Sequence, residues 1–220
     1  MSVGSVLERW FGRSPTEVSL EDGYARWAPL YPPRPHNALM EVEQTAVLEL
    51  LPPVAGRIVL DAGCGTGRYV RVLTALGARP VGVDLSSAMV ARARSFKLPV
   101  ARGDMNALPV TTASCDLVVS GLTVPDIPDL SPVVNEWARV LRHRGVLVYS
   151  TLHPIGKDLG WTRTYESANG VLSLPAHWHT VAEQRAACTR AGLEVEAVRE
   201  PSLKRGGLPV ALVIRARKRK

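Results

Sequence analysis

Nine residues, VLDAGCGTG at positions 59–67, constrain the fold of this chain more than any other stretch. An apolar β-branched run ends in an acid, Asp61. Three alternate glycines follow, Gly63, Gly65 and Gly67, and a helical stretch begins directly after them. Glycine lets a backbone turn tightly and approach a ligand closely, and a helix N-terminus placed there offers free N–H groups and a positive dipole end. From about residue 57 onward, short β-branched runs alternate with helical stretches. That alternation implies βαβ units, a parallel sheet and the α/β class. Strands are expected at 57–61, 80–84, 98–102, 115–120, 145–151, 193–198 and 209–216. Helices are expected at 67–76, after Ser86 as a cap, and at 131–142 with Ser131 as cap and Pro132 at its first position. A last helix runs from the Thr180–Glu183 capping box to Ala191 and stops at Gly192. Two stretches fall outside the alternation: residues 1–52, which read as a helical lid, and 153–179, a His-, Trp- and Gly-rich insertion read as a long functional loop.

The 220 residues suffice for one α/β domain with a full core and are too few for two ordinary ones. No apolar run reaches the roughly 18–20 residues of a membrane span. The opening MSVGSVLERWFGR lacks the basic start and long apolar stretch of a secretory signal. Cys64, Cys115 and Cys188 are scattered and odd in number, which points to a reducing cytoplasm. The net charge of +7 leaves nucleic acid, an acidic carrier protein or an anionic small molecule open as partners. The dense basic run, Arg215 to Lys220, reads as a solvated tail. It lacks the aromatic interleaving of single-strand binders.

Glycine-rich loops between strand and helix serve several nucleotide cofactors, so the surrounding residues must discriminate. A dinucleotide-binding GxGxxG would place its third glycine at position 68, which is Arg68. The lysine and hydroxyl of a phosphate loop are missing. Asp61 would repel a pyrophosphate, whereas S-adenosylmethionine (SAM) carries a cationic amino group and a sulfonium that a carboxylate favours. Asp84 ends the second strand about 20 residues after the loop, where a carboxylate accepts hydrogen bonds from ribose hydroxyls.

Five stretches in order resemble the class I SAM-dependent methyltransferases of the small-molecule group. They are VLDAGCGTG, VGVDLSSAMVARA (81–93), ARGDMNALP (101–109), SCDLVVSGLTVPDIPDL (114–130) and RVLRHRGVLVYSTLHP (139–154). The resemblance covers residues 57–152. It implies a Rossmann-like seven-stranded sheet of order 3-2-1-4-5-7-6 with one antiparallel strand and helices on both faces, and SAM as cofactor with S-adenosyl-L-homocysteine as product. It also implies a cofactor site made of Asp61, Gly63, Cys64, Gly65, Asp84, Leu85, Met89, Gly103, Asp104, Met105, Ser120 and Leu122. Asp104 would accept from the adenine amino group, with Leu85 and Met105 against the ring. Tyr24, Trp27 and Tyr31 resemble an aromatic lid whose hydroxyl reaches the SAM carboxylate. The turn RHRG before the fifth strand departs from the Pro-Gly or Gly-Gly usual there.

On the acceptor side the fourth strand ends in SGLT rather than Asn/Asp-Pro-Pro-aromatic, which argues against amino-directed DNA methylation. A small molecule, free or carrier-linked, is the expected substrate. His153, Tyr31 and His36 are the catalytic candidates. His177 and His179 could pair on a metal, but without a third ligand no metal is expected. Three rivals share the cofactor motifs in part: a malonyl carrier-protein O-methyltransferase, a SAM-binding enzyme of cyclase type that does not methylate, and a nicotinamide oxidoreductase. The sequence is compatible with a monomer or a homodimer.

Overall fold

The computed structural model describes residues 15–167 and 170–219. The opening segment examined for a signal, the first part of the expected lid and Lys220 lie outside the described residues. In chain order the elements are β1 (Thr16–Glu17), α1 (Leu20–Trp27), α2 (Ala38–Leu50), β2 (Ile58–Ala62), α3 (Arg68–Ala75), β3 (Arg79–Asp84), α4 (Ser87–Ser95), β4 (Val100–Arg102) and β5 (Cys115–Ser120). A 3-10 turn (Val124–Asp126) precedes α5 (Leu130–Val140), β6 (Leu141–Leu152), α6 (Ile155–Asp158), β7 (Arg163–Ser167), β8 (Gly170–Leu174), α7 (Val181–Arg190), β9 (Leu193–Arg199) and β10 (Ala211–Lys218).

Seven strands form one sheet in the order β4-β3-β2-β5-β6-β10-β9. Strands β4, β3, β2, β5 and β6 pair in parallel, and β10 runs antiparallel to both β6 and β9. This is the sheet order and the antiparallel insertion implied by the resemblance. Consecutive residues of the central strands bury opposite faces. Leu60, Val118 and Leu147 pack on one side with Val134 and Trp137 of α5 and Cys188 of α7. Val59, Leu117 and Val148 pack on the other with Val47 of α2 and Leu73 of α3. A sheet covered on both faces needs such uninterrupted apolar strands, which is why they read as continuous runs.

Several local expectations change. The cap of α5 is Asp129, whose side chain accepts from the Ser131 backbone, so Ser131 lies inside the helix. The RHRG stretch belongs to β6, where Arg144 supplies the left-handed backbone (φ 60°) that glycine provides elsewhere. The basic end is no solvated tail. Arg215 and Arg217 in β10 pair with Glu196 of β9, and the Lys218 ammonium donates to the carbonyls of Ala138 and Leu141 at 2.7 and 2.8 Å.

The two stretches outside the alternation form one piece. The insertion is a hairpin, β7–β8, rather than a loop, and β1 joins its edge in parallel, with Thr16 opposite Leu172. Helix α1 packs on this small sheet. Trp27 stacks on Tyr165 at 4.5 Å between ring centroids, and the Tyr165 hydroxyl donates to the Gly23 carbonyl at 2.7 Å. The result is a cap over the carboxyl edge of the main sheet.

The capping box at Thr180 is complete: its hydroxyl accepts from the Glu183 backbone, and the Glu183 carboxylate accepts from the Thr180 backbone. Thr180→Ala should lower the unfolding free energy by about 1 kcal/mol, read as a lower urea midpoint at unchanged slope.

Candidate active site

A cavity of about 840 Å³ lies between the cap and the carboxyl ends of β2, β3 and β5. Its floor is the glycine loop. Gly65 adopts φ 53°, and nothing stands within 4 Å of where its side chain would project, so the loop backbone is bare toward a ligand. Gly67 (φ 91°) is needed for another reason: a methyl group there would come 2.3 Å from Leu98.

Asp61 is buried to 1 % exposure at the end of β2. One oxygen accepts from the Val70 backbone at 3.2 Å, and the other has no partner among the described residues although Asp61 lines the cavity. Burial therefore raises its carboxyl from 3.8 to about 7, with Arg68 and the Val70 N–H acting against the shift. Thr66 beside it also carries a buried, unpartnered hydroxyl facing the same space. Asp84 is held open at the end of β3 by two backbone donors, Gly65 and Ser86, each at 2.8 Å, and burial raises its carboxyl too. Leu85, Met89, Asp104 and Met105 complete this end, and Asp104 fixes its own turn by accepting from the Asn106 backbone and side chain. An unpaired carboxylate, a bare glycine loop and a second carboxylate one strand away fit a cationic nucleoside. They do not fit a pyrophosphate.

Arg68 and Glu43 are a buried ion pair the sequence did not reveal. They lie 2.7 Å apart, and the Glu43 carboxylate also receives the hydroxyls of Tyr69 and Ser150. Ser150 in turn accepts from the backbone of Leu122, which stands in a left-handed conformation (φ 58°) on the cavity wall. A second polar knot closes the cap. Asp126 accepts from Arg163 of β7 at 2.5 Å and from the Tyr24 hydroxyl of α1 at 2.7 Å, while Arg163 also donates to that hydroxyl at 2.8 Å. Arg163 had no motif to mark it, and nothing local in the sequence could have found it.

Of the predicted site residues, Tyr24, Trp27, Tyr31, Asp61, Gly63, Cys64, Gly65, Asp84, Leu85, Met89, Asp104, Met105 and Leu122 all line this cavity. Gly103 and Ser120 lie behind the wall: the Gly103 backbone donates to the Asp84 carbonyl, and the Ser120 hydroxyl shares a 2.5 Å bond with that of Thr123. Tyr31 keeps its phenol protonated through burial, and its hydroxyl meets only the Met40 sulfur at 3.9 Å, which leaves it open to a ligand. The other two catalytic candidates are not brought to the cavity. His153 is engaged by Glu200 at 3.1 Å and by the Ile155 backbone. His36 is exposed and packs edge-on against Trp27 and Tyr31. His177 and His179 do not converge on a common ligand. The His177 backbone donates to the Pro125 carbonyl and the His179 ring bonds that of Ile127, which ties the insertion to the turn carrying Asp126.

Residues 60–149 match the protein-family model described as a methyltransferase domain. The chain is 37% identical over 131 residues, 59% of its length, to a malonyl-[acyl-carrier protein] O-methyltransferase of Enterobacter lignolyticus, of which it covers 51%. It is 36% identical over 99 residues to the enzyme of the same name from Yersinia pestis, covering 44% of this chain and 37% of that one. The chain thus spans about half the length, or less, of these curated relatives. A crystal structure of an S-adenosylmethionine dependent methyltransferase from Mesorhizobium loti superposes with a TM-score of 0.68 at 25% identity, covering 80% of this chain and 97% of that one. The sheet and loop described above are therefore similar in fold to a class I, Rossmann-like SAM-dependent methyltransferase domain, and residues 60–149 carry the family match.

The raised carboxyl of Asp61 makes a signed prediction. The folded apo-protein holds a proton there between about pH 4 and 7 that the unfolded chain releases, so ionised Asp61 costs stability as the pH rises through that window. A bound cation lowers the same pKa. SAM affinity measured by calorimetry should therefore climb by up to about tenfold per pH unit below pH 7 and level off above it. Asp61→Asn should flatten that profile, weaken SAM and raise the melting temperature of the apo-protein at pH 8.

Proposed function

We propose that this chain transfers the methyl group of SAM to a small-molecule acceptor enclosed beneath the cap. The observation that carries the reading is the buried, half-partnered Asp61 carboxylate facing the bare glycine loop. A buried carboxylate oxygen that faces a cavity without a protein partner is free to meet a ligand's donor or cation.

In this reading Asp61 faces the cationic amino-acid end of SAM, Asp84 accepts from the ribose hydroxyls, and Asp104 with Leu85 and Met105 holds the adenine. Tyr31 supplies a phenolic donor to the carboxylate end. SAM contributes an electrophilic methyl: the acceptor's lone pair takes the methyl carbon as the carbon–sulfur bond breaks, its electron pair staying on sulfur to give S-adenosyl-L-homocysteine. The protein's own work is to hold the acceptor in line and to keep water out. Trp27, Tyr165 and Leu174 wall the space, and the Tyr24–Asp126–Arg163 knot holds it shut. No histidine lines this space among the described residues.

A second reading, methylation of a carrier-linked malonyl group, draws on the name borne by relatives at 36–37% identity. Incubation with SAM and either a free-acceptor library or malonyl carrier protein separates the two by which mixture yields S-adenosyl-L-homocysteine. Asp84→Ala should weaken SAM at least about tenfold, from the loss of two hydroxyl bonds to a charged group, with its circular dichroism unchanged. Absence of calorimetric binding by the intact chain at high micromolar SAM would sink both readings.

A further inference from the structure

Among the described residues, the two cations set into the wall of the acceptor chamber, Arg68 and Arg163, are each paired with a carboxylate, although the chain as a whole is at +7. Six carboxylates line the cavity: Glu21, Asp61, Asp84, Asp104, Asp126 and Asp129. Among the described residues, three guanidinium groups, those of Arg68, Arg102 and Arg163, share that lining. Arg68 is neutralised by the fully buried Glu43 at 2.7 Å. Arg163, on the cap side, is neutralised by Asp126 at 2.5 Å and further occupied by the Pro175 carbonyl and the Tyr24 hydroxyl. Arg102 is exposed to solvent at the rim beside Leu85, whose carbonyl accepts from its Nε. The rest of the lining brings the apolar and aromatic side chains of Leu20, Trp27, Tyr31, Tyr165 and Leu174 together with the carboxylates of Glu21 and Asp129, and no further cation among the described residues.

An anion entering this chamber would leave water without gaining an unpaired cation. A neutral ring system would bury its faces against the aromatic wall and meet hydrogen-bonding groups at the Tyr24–Asp126–Arg163 knot. Resting on the methyl-transfer reading above, we propose that the acceptor is an uncharged, ring-bearing small molecule with its nucleophile on a neutral group such as a hydroxyl, and that the Asp126–Arg163 pair sets this choice by cancelling the cap's only buried cation among the described residues. Free carboxylates and phosphates are thereby rejected.

The test uses three probes on one skeleton: 2-naphthol, 2-naphthylmethylamine and 2-naphthoate. Each is titrated by calorimetry into the full chain saturated with S-adenosyl-L-homocysteine. Naphthol should bind at least about tenfold more tightly than naphthoate. Asp126→Asn unpairs Arg163 and should reverse that order in favour of naphthoate, whereas Arg163→Gln unpairs Asp126 and should favour the amine. A purely structural role for the pair would weaken all three probes alike. Naphthoate matching or exceeding naphthol on the unmodified chain overturns the proposal, and so does a lack of naphthol binding. The unmodified ranking needs no variant to fold. Binding of S-adenosyl-L-homocysteine is read first. If it fails, the methyl-transfer reading falls, and if it succeeds while the ranking is reversed, only the choice of acceptor falls.

Discussion

Three carboxylates, Asp61, Asp84 and Asp126, stand in one water-poor space at the carboxyl edge of the sheet, and the molecule is organised around how each charge is met. Asp84 is met by two backbone N–H groups of the turns that flank it. Asp126 is met by a guanidinium and a phenol. Asp61 receives one backbone donor on one oxygen and nothing on the other. Two charges are satisfied by the protein, and the third is left for a ligand. Because an unpaired buried carboxylate is costly, the third is also where folding stability and cofactor binding oppose each other. In the proposed function, the sulfonium and amino group of SAM are the complement that removes the conflict.

The cap follows from the second of these charges. Tyr24 comes from α1 and Arg163 from β7, well over a hundred residues apart in the chain, and one carboxylate on a 3-10 turn holds both. The same turn takes the His177 backbone at Pro125 and the His179 ring at Ile127. A single short segment after β5 therefore anchors the N-terminal helix and both ends of the insertion. Enclosure matters to the proposed chemistry because the enzyme's part is positioning and exclusion of water rather than proton transfer.

The parallel sheet and the glycine-loop edge were legible in the sequence because their signals are local: β-branched runs, a glycine loop whose spacing excludes GxGxxG, and carboxylates ending two strands; the strand order came only with the family resemblance. The cap was legible only as two unrelated leftovers. Nothing in residues 15–20 marks a strand that pairs with Leu172 and Ser173, since a two-residue edge strand has no periodicity to read. The histidines misled for the same reason. His153 follows a strand at the ligand edge, but its orientation depends on Glu200, which arrives from beyond β9. Basic residues at the chain end looked like a tail because composition does not show that Glu196 lies across the sheet from Arg215.

Glu43 shows how far the site reaches into the N-terminal segment. Its carboxylate is fully buried, and breaking a buried ion pair from one side is far more damaging than the pair's own net contribution. What the pair supplies is position. Glu43 receives Arg68 from the first turn of α3 and Ser150 from β6, and Ser150 holds the backbone of Leu122 in its left-handed turn. The helix following the glycine loop, the wall after β5 and helix α2 are thus set by one carboxylate that belongs to no predicted motif. Arg68, in the place a dinucleotide loop would give to glycine, is on this account the residue that couples the cofactor loop to α2, and the departure from GxGxxG read in the sequence is also the contact by which the N-terminal segment becomes part of the site.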